Sequence, residues 1–337
     1  MSRDYGYINA RVRGMKARLL GAEFYGEALE ATDFSAYLSL LSQTPYMRDL
    51  EEAQSRYQGL RAVDSALARN FYSTTRSILT FSDGLPGKLV ALMLLRYDLH
   101  NIKAIARAKH ADRTLEDIRP ALFPAGELRP AGLESAAAAS DMAGVAHALA
   151  ASKTPLRAAF AKAAARYQSD GDLYALELEL DRAYFKLIMA ALAKVAAPNA
   201  FVRHIRREVD ATNLRTALKL RTSGGSSDGL FVEGGKEIAR GVFETLINDD
   251  SPGALQVLAG TSFAGVTDSS SLSESEAVIR DVMDRSARRL AANPLDIGVV
   301  VNYLRAKEEE AARLRLLARG KYYQVPRAAL QRELDYA

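Results

Sequence analysis

Along most of the chain, apolar residues return at intervals of three and four positions with charged and small residues between them. That spacing puts them on one face of an α-helix, and the strict alternation of a half-buried strand is scarce, so the pattern predicts an all-α protein. Alanine, leucine, arginine and glutamate dominate, which suits helices. Turn-forming residues gather at 119–130 and 222–229, with proline or glycine among them, and as Asp-Ser-Ser-Ser at 268–271, and the first two clusters read as boundaries between units.

One segment occurs three times. Residues 98–109 (DLHNIKAIARAK) are echoed at 210–221 (DATNLRTALKLR) and 310–321 (EAARLRLLARGK). Counted from the acid, each copy has Ile or Leu at the fourth step, an apolar residue at the seventh, and a base at the fifth, ninth and eleventh. The acids Asp98, Asp210 and Glu310 lie 112 and 100 residues apart. A second pattern runs in phase, with Thr44, Thr154 and Thr261 at corresponding places. A third links 67–72 to 180–185 and, faintly, to Met283-Asp284-Arg285. The chain therefore divides into three diverged helical units, 1–118, 119–226 and 227–337, each the size of a small domain.

On the repeated helix, steps zero, four, seven and eleven share a stripe. Ile102, Ile105, Leu214, Ala217, Leu314 and Leu317 are thus expected to be buried. The acid on that stripe is expected to meet a base on a neighbouring helix, because buried charge is normally matched. Lys103 with Arg107, Arg215 with Lys219, and Arg315 with Arg319 fall on the opposite side as basic ridges. Alone, each is a solvated face. Repeated three times around one body, they suit a socket for an elongated acidic partner. Lys109, Arg221 and Lys321 sit near helix C-termini, where positive charge is favoured.

Composition narrows the chemistry. Lys+Arg 45 against Asp+Glu 41 leaves a net charge of +4, without the concentrated basic face that nucleic acid requires. Cysteine is absent, so disulfides, thiolate metal sites and a cysteine nucleophile are excluded. The apolar runs Leu89 to Leu95 and Leu187 to Ala193 are too short to span a bilayer, and the first residues lack the apolar core of a secretory signal. The four histidines show no metal-ligand spacing and read as surface or satisfied helical residues. Gly229 to Lys236 resembles a phosphate loop, but the spacing is wrong and Glu237 stands where the Mg²⁺ ligand should follow. It reads as a turn entering a helix. The acids Glu177, Glu179 and Glu308 to Glu310 read as helix surface. No catalytic, cofactor or metal residue is assigned.

The opening YGYINARVRGMKARLL, the Asn101-Ile102-Lys103 core of the first repeat, and the closing stretch from Val301 to Lys321 resemble the C subunits of the rotary A/V-type ATPases, relatives of the d subunit of the eukaryotic V-ATPase. The resemblance implies a non-catalytic component of the central stalk, a funnel of three helical lobes without cofactor or metal. It implies a place on the cytoplasmic side of the membrane, as a peripheral part of the complex. There it would join the D and F subunits of the shaft to the proteolipid ring, coupling ATP turnover in the A/B head to proton or sodium transport. The third repeat departs from the others, with Arg313 where they carry Asn101 and Asn213. A helical repeat scaffold holding some other protein in its concave face would share the same periodicities.

Overall fold

The computed structural model describes residues 5–195, 197–223, 229–249 and 251–336. The boundary cluster at 222–229 falls largely outside them. The helices in chain order are α1 (Gly6–Lys16), α2 (Ala22–Glu30), α3 (Phe34–Leu41), α4 (Met47–Gln54), α5 (Gly59–Thr80) and α6 (Gly84–His110). They continue with α7 (Leu115–Ile118), α8 (Pro130–Ala138), α9 (Met142–Ala150), α10 (Arg157–Asp170), α11 (Leu173–Ala193) and α12 (Asn199–Ser223). The last four are α13 (Arg240–Asn248), α14 (Leu272–Leu290), α15 (Gly298–Tyr322) and α16 (Arg327–Tyr336). Among the described residues there is no strand, so the protein is all-α as the periodicity predicts. No described helix is long and apolar enough to cross a membrane.

Local signals set the boundaries. Asp33, Asp141 and Asp172 cap α3, α9 and α11 by accepting from amides three residues on, and Ser271 does so for α14. Thr114 and Asp117 form a reciprocal capping box on α7. Thr44 and Thr261 each donate to the carbonyl three residues back and accept the amide two residues on, so the second repeated pattern is a hydroxyl-pinned turn. Thr154, with two residues inserted before it, is buried.

The repeated segments are the C-terminal portions of the long helices α6, α12 and α15. Each long helix follows another in the chain after a short turn, α6 after α5, α12 after α11 and α15 after α14. Ile102, Ile105, Leu214, Ala217, Leu314 and Leu317 are fully buried, as the stripe predicts. They divide among three separate apolar clusters. Ile102 and Ile105 belong to the largest, which also holds α8–α11 and the first halves of the long helices. Leu214 and Ala217 pack with α13 and α14. Leu314 and Leu317 pack with Ala28, Tyr37 and Leu67 from the start of the chain, and with Leu330 and Leu334 from its end.

A nine-residue helix accompanies each repeat: α8 after α6, α13 after α12, and α2 beside α15. Arg221 donates to the carbonyls of Leu246, Asp249 and Ser251 at the end of α13. Lys321 does the same for α2 through Leu29 and Ala31, at 2.7 Å each. The third repeat helix thus ends against elements from the chain's first eighty residues, whereas the first two end against elements that follow them in sequence.

Candidate subunit interface around the three repeat helices

The repeated acids bind loops. Asp98 is fully buried and accepts the amides of Glu127 at 3.1 Å and Leu128 at 3.0 Å. Asp210 accepts those of Lys236, Glu237 and Ile238 at 2.9–3.1 Å. The expected basic partner on a neighbouring helix is therefore replaced by backbone N–H groups, which satisfy a buried carboxylate without a second charge. Such close approach demands glycine. A Cβ on Gly126 or Gly235 would overlap Asp98 Oδ1 or Asp210 Oδ1.

One turn further on, Asn101 donates to Phe123 O and accepts from Phe123 N, both at 2.7 Å. Asn213 holds Val232 in the same way, at 2.8 and 2.9 Å. The stretch from Gly229 to Lys236, expected as a turn entering a helix, is the loop gripped by Asn213 and Asp210, and α13 begins only at Arg240.

In the third copy Glu310 reaches further. It accepts from Leu20 N at 2.6 Å, and from Tyr46 Oη and Lys307 Nζ at 2.7 Å each. Lys307 also donates to Tyr46 Oη at 2.7 Å. Burial lowers the Lys307 ammonium pKa and raises that of the Tyr46 phenol. Glu310 is thus buried rather than helix surface, and its base, Lys307, stands on the same helix rather than a neighbouring one, while Glu309 pairs with Arg313, four residues on.

Burial pushes the Asp98 carboxyl up to about 6, against the pull of its amide donors. A raised native pKa contributes stability that is full below the unfolded value near 4 and is lost as pH rises through about 6. Comparing urea unfolding of wild type and Asp98→Asn from pH 4 to pH 7 should show the wild-type advantage shrinking by up to about 3 kcal/mol. A constant difference across that range would mean that Asp98 does not titrate there.

The first halves of the three repeat helices meet one another. Arg96 lies between Glu208 and Glu308, at 3.9 and 3.5 Å. All three precede their repeat acid by two residues. Glu308 is the main reason the Arg96 guanidinium is held more firmly protonated. Below this charged layer lie Met93, Ile205 and Arg305, five residues before each acid, then Phe201 and Val301, nine before. They enclose a void of about 20 Å³, room for a single water. Behind it, His204 shares a 2.9 Å hydrogen bond with Ser286 Oγ, which also accepts from Arg207. Desolvation lowers the His204 pKa, so it is neutral near pH 7. His204 is a satisfied core residue, and the described residues hold no cluster of metal-ligating side chains.

Steps minus nine, minus five and minus two share one helix face, and steps five and nine continue it toward the C-terminus at 1.5 Å per residue. The basic ridges therefore extend the face by which the three helices meet. The structure does not leave them bare. Lys103 binds Asp181 at 2.8 Å and Glu177 at 3.6 Å, and Arg107 also takes Glu177. Arg215 binds Glu276 at 2.8 Å, and Arg315 and Arg319 share Asp64 at 3.4 and 3.1 Å. Each ridge is fastened to the neighbouring long helix, α11, α14 or α5. Glu177, expected as helix surface, is one of these partners. The side chain of Arg107 stays 60% exposed and that of Arg315 only 12%, so the ridges differ in how much they offer a partner. Lys219 is exposed.

Comparison with known proteins decides the family. The ATP synthase (C/AC39) subunit family matches residues 8–333. The chain belongs to that family. It is 36% identical to the C subunit of the V-type ATP synthase of Thermus thermophilus, over 99% of each chain. Identity to the corresponding V-type protein of Deinococcus radiodurans is 34%, over 99% of this chain and 92% of that one. The C subunit of the A-type ATP synthase of Methanosarcina acetivorans is 29% identical over 94% of this chain and 89% of its own. As a member of the C/AC39 family the protein is a structural, non-catalytic and peripheral component of a rotary ATPase complex.

Proposed function

We propose that this C/AC39 protein is a socket, three helical lobes around a pseudo-threefold axis, that seats the rotating D/F shaft on the proteolipid ring at the cytoplasmic face. The observation that carries this reading is the set of corresponding positions Arg96, Glu208 and Glu308 meeting at one point, with the basic ridges continuing the same face beyond it. The second halves of the repeat helices enter separate cores, so they diverge from the meeting point as the wall of a funnel does. The units 1–118, 119–226 and 227–337 give one repeat helix to each lobe and share cores across their boundaries: the ends of α6 and α12 pack into the helices that follow them, and the end of α15 into the N-terminal helices.

The shaft enters at the divergent end, along Lys103, Arg107, Arg215, Lys219, Arg315 and Arg319, and contacts the C-terminal halves of the repeat helices. The ring lies at the opposite end, where α1 carries Tyr7 and Arg11 and the turns into α6 and α15 carry Phe81 and Leu295. There Arg11 stacks on Phe81 with 5.0 Å to the ring centre, Tyr7 meets Phe81 edge-on, and Leu295 is 67% exposed. Coupling of ATP hydrolysis or synthesis to ion transport passes through the rigid body between these two ends.

Tagged protein extracted from native membranes in mild detergent should bring down the A/B head, D, F and the ring in fixed proportion. Charge reversal at Arg107, Lys219 and Arg319 together should weaken binding of the purified D–F shaft by at least about tenfold, with the steep salt dependence of charged interfaces reduced. Unchanged affinity in a protein that melts normally would remove the ridges from the interface. Recovery of the tagged protein alone would remove the socket and leave a helical scaffold.

A further inference from the structure

A cleft of about 600 Å³ opens between α4–α5 on one side and α7–α8 on the other, and Arg319 at the end of the third basic ridge lines it. Its floor is apolar, formed by Ala53, Leu60 and Ala68 against Leu122, Pro124 and Leu133. Tyr57 is clasped at the mouth, with Arg61 and Arg119 at 4.1 and 5.8 Å from its ring centre. Tyr323 borders the cleft and is 67% exposed, next to exposed Tyr322 and Val325. A concave apolar surface continuous with exposed aromatics marks an interaction site rather than ordinary surface.

The walls differ in charge. On the α4–α5 and α15 side, Arg56, Arg61, Arg69 and Arg319 face the two carboxylates Glu52 and Asp64. Asp64 is already shared by Arg315 and Arg319, and Glu52 by Arg56 and Arg69. On the α7–α8 side, Arg119 pairs with Glu116 and Glu134, whose side chains are 53% and 56% exposed, and Arg61 reaches across from α5 to Glu116 at 2.9 Å, a bridge that an entering acidic side chain would have to displace. Exposed carboxylates on one lip repel a free polyanion such as a nucleotide. A polypeptide with carboxylates on one flank and a base on the other satisfies both lips.

We propose that this cleft is an off-axis docking groove for the end of an amphipathic partner helix, which inserts a few large apolar side chains between acidic and basic flanks. The volume suits side chains of one or two turns rather than a whole helix, whose diameter is about 10–12 Å. That the helix belongs to the shaft rests on the socket reading above. A shaft held by this groove as well as by the repeated ridges seats in one rotational register of a threefold socket, as a key does in its slot.

The absence of cysteine gives a clean test. Ser65→Cys places a single thiol on the groove wall for an environment-sensitive dye, and purified D–F shaft is titrated into the labelled full-length protein. The expected result is a saturable dye response. Ala68→Trp, which fills the floor, should weaken shaft binding at least about tenfold, and the exposed Arg56→Glu about three- to tenfold. Arg56→Glu keeps the test valid should Ala68→Trp misfold. Tight shaft binding with a silent dye and unchanged affinity in both variants would overturn the groove while leaving the socket intact. No shaft binding by the folded, labelled protein would overturn both.

Discussion

Replacing Asn213 by leucine is expected to cost about 2–4 kcal/mol, among the largest effects of any single polar change in this protein. The volumes are close, so no sizeable cavity is created. What is lost is a matched pair of hydrogen bonds to Val232, whose N–H and C=O remain buried beside an apolar core without partners. Asn101→Leu should do the same to Phe123. The two sites lie in different parts of the molecule, so their effects should add. Their sum approaches the whole stability of an ordinary domain. Urea unfolding gives the energies, and amide exchange should show fast opening confined to 122–128 in one variant and 229–238 in the other. Arg313→Leu, at the matching place in the third repeat, removes a partly exposed pair with Glu309 and a 5.7 Å contact with the Tyr25 ring, and should cost only about 1 kcal/mol. If N213L melts like wild type, the clamps hold nothing.

Removing the Glu310 carboxylate alone should be comparably severe, about 3–5 kcal/mol, because Lys307 would be left buried without its counter-charge. The damage should have a place. Glu310 ties Leu20 and Tyr46 to α15, so in Glu310→Ala the segment from α2 to α4 should become the first target of limited proteolysis. Lys307→Met combined with Glu310→Leu should recover much of the loss, since well-packed apolar residues often replace a buried ion pair without penalty. Equal destabilisation in single and double variants would instead assign the cost to lost packing around Tyr46.

The helices and their buried stripes are legible because they depend on spacing within one stretch of chain. Steps four and seven of each repeat can face only one way, and all six residues there are buried. The acids are harder to place. A charge on an apolar stripe announces that it needs a partner, but the partners of Asp98 and Asp210 are backbone amides, which every residue but proline carries and no sequence pattern marks. The glycines that admit those amides, Gly126 and Gly235, stand 28 and 25 residues beyond the acids, too far apart for local reasoning to join them. Arg96, Glu208 and Glu308 stay hidden for another reason. They are equivalent in position but opposite in sign, so a search for shared chemistry passes over them. The ridges read as solvated because helix geometry gives the face a side chain lies on. It does not reveal that Glu177, Glu276 and Asp64 stand across from it.

The joining of both chain ends in one apolar core has a consequence during synthesis. The ribosome delivers Ala28, Tyr37 and Leu67 early, but Leu314, Leu317 and Leu330, against which they pack, emerge last. At the usual elongation rate of about 5–20 residues per second, the first eighty residues wait roughly 12–50 seconds for their partners. Meanwhile α6–α11 and α12–α14 have their own clusters to form. The nascent N-terminal segment is thus the part of this protein that has most need of a chaperone, and a message truncated before codon 313 would leave it permanently exposed.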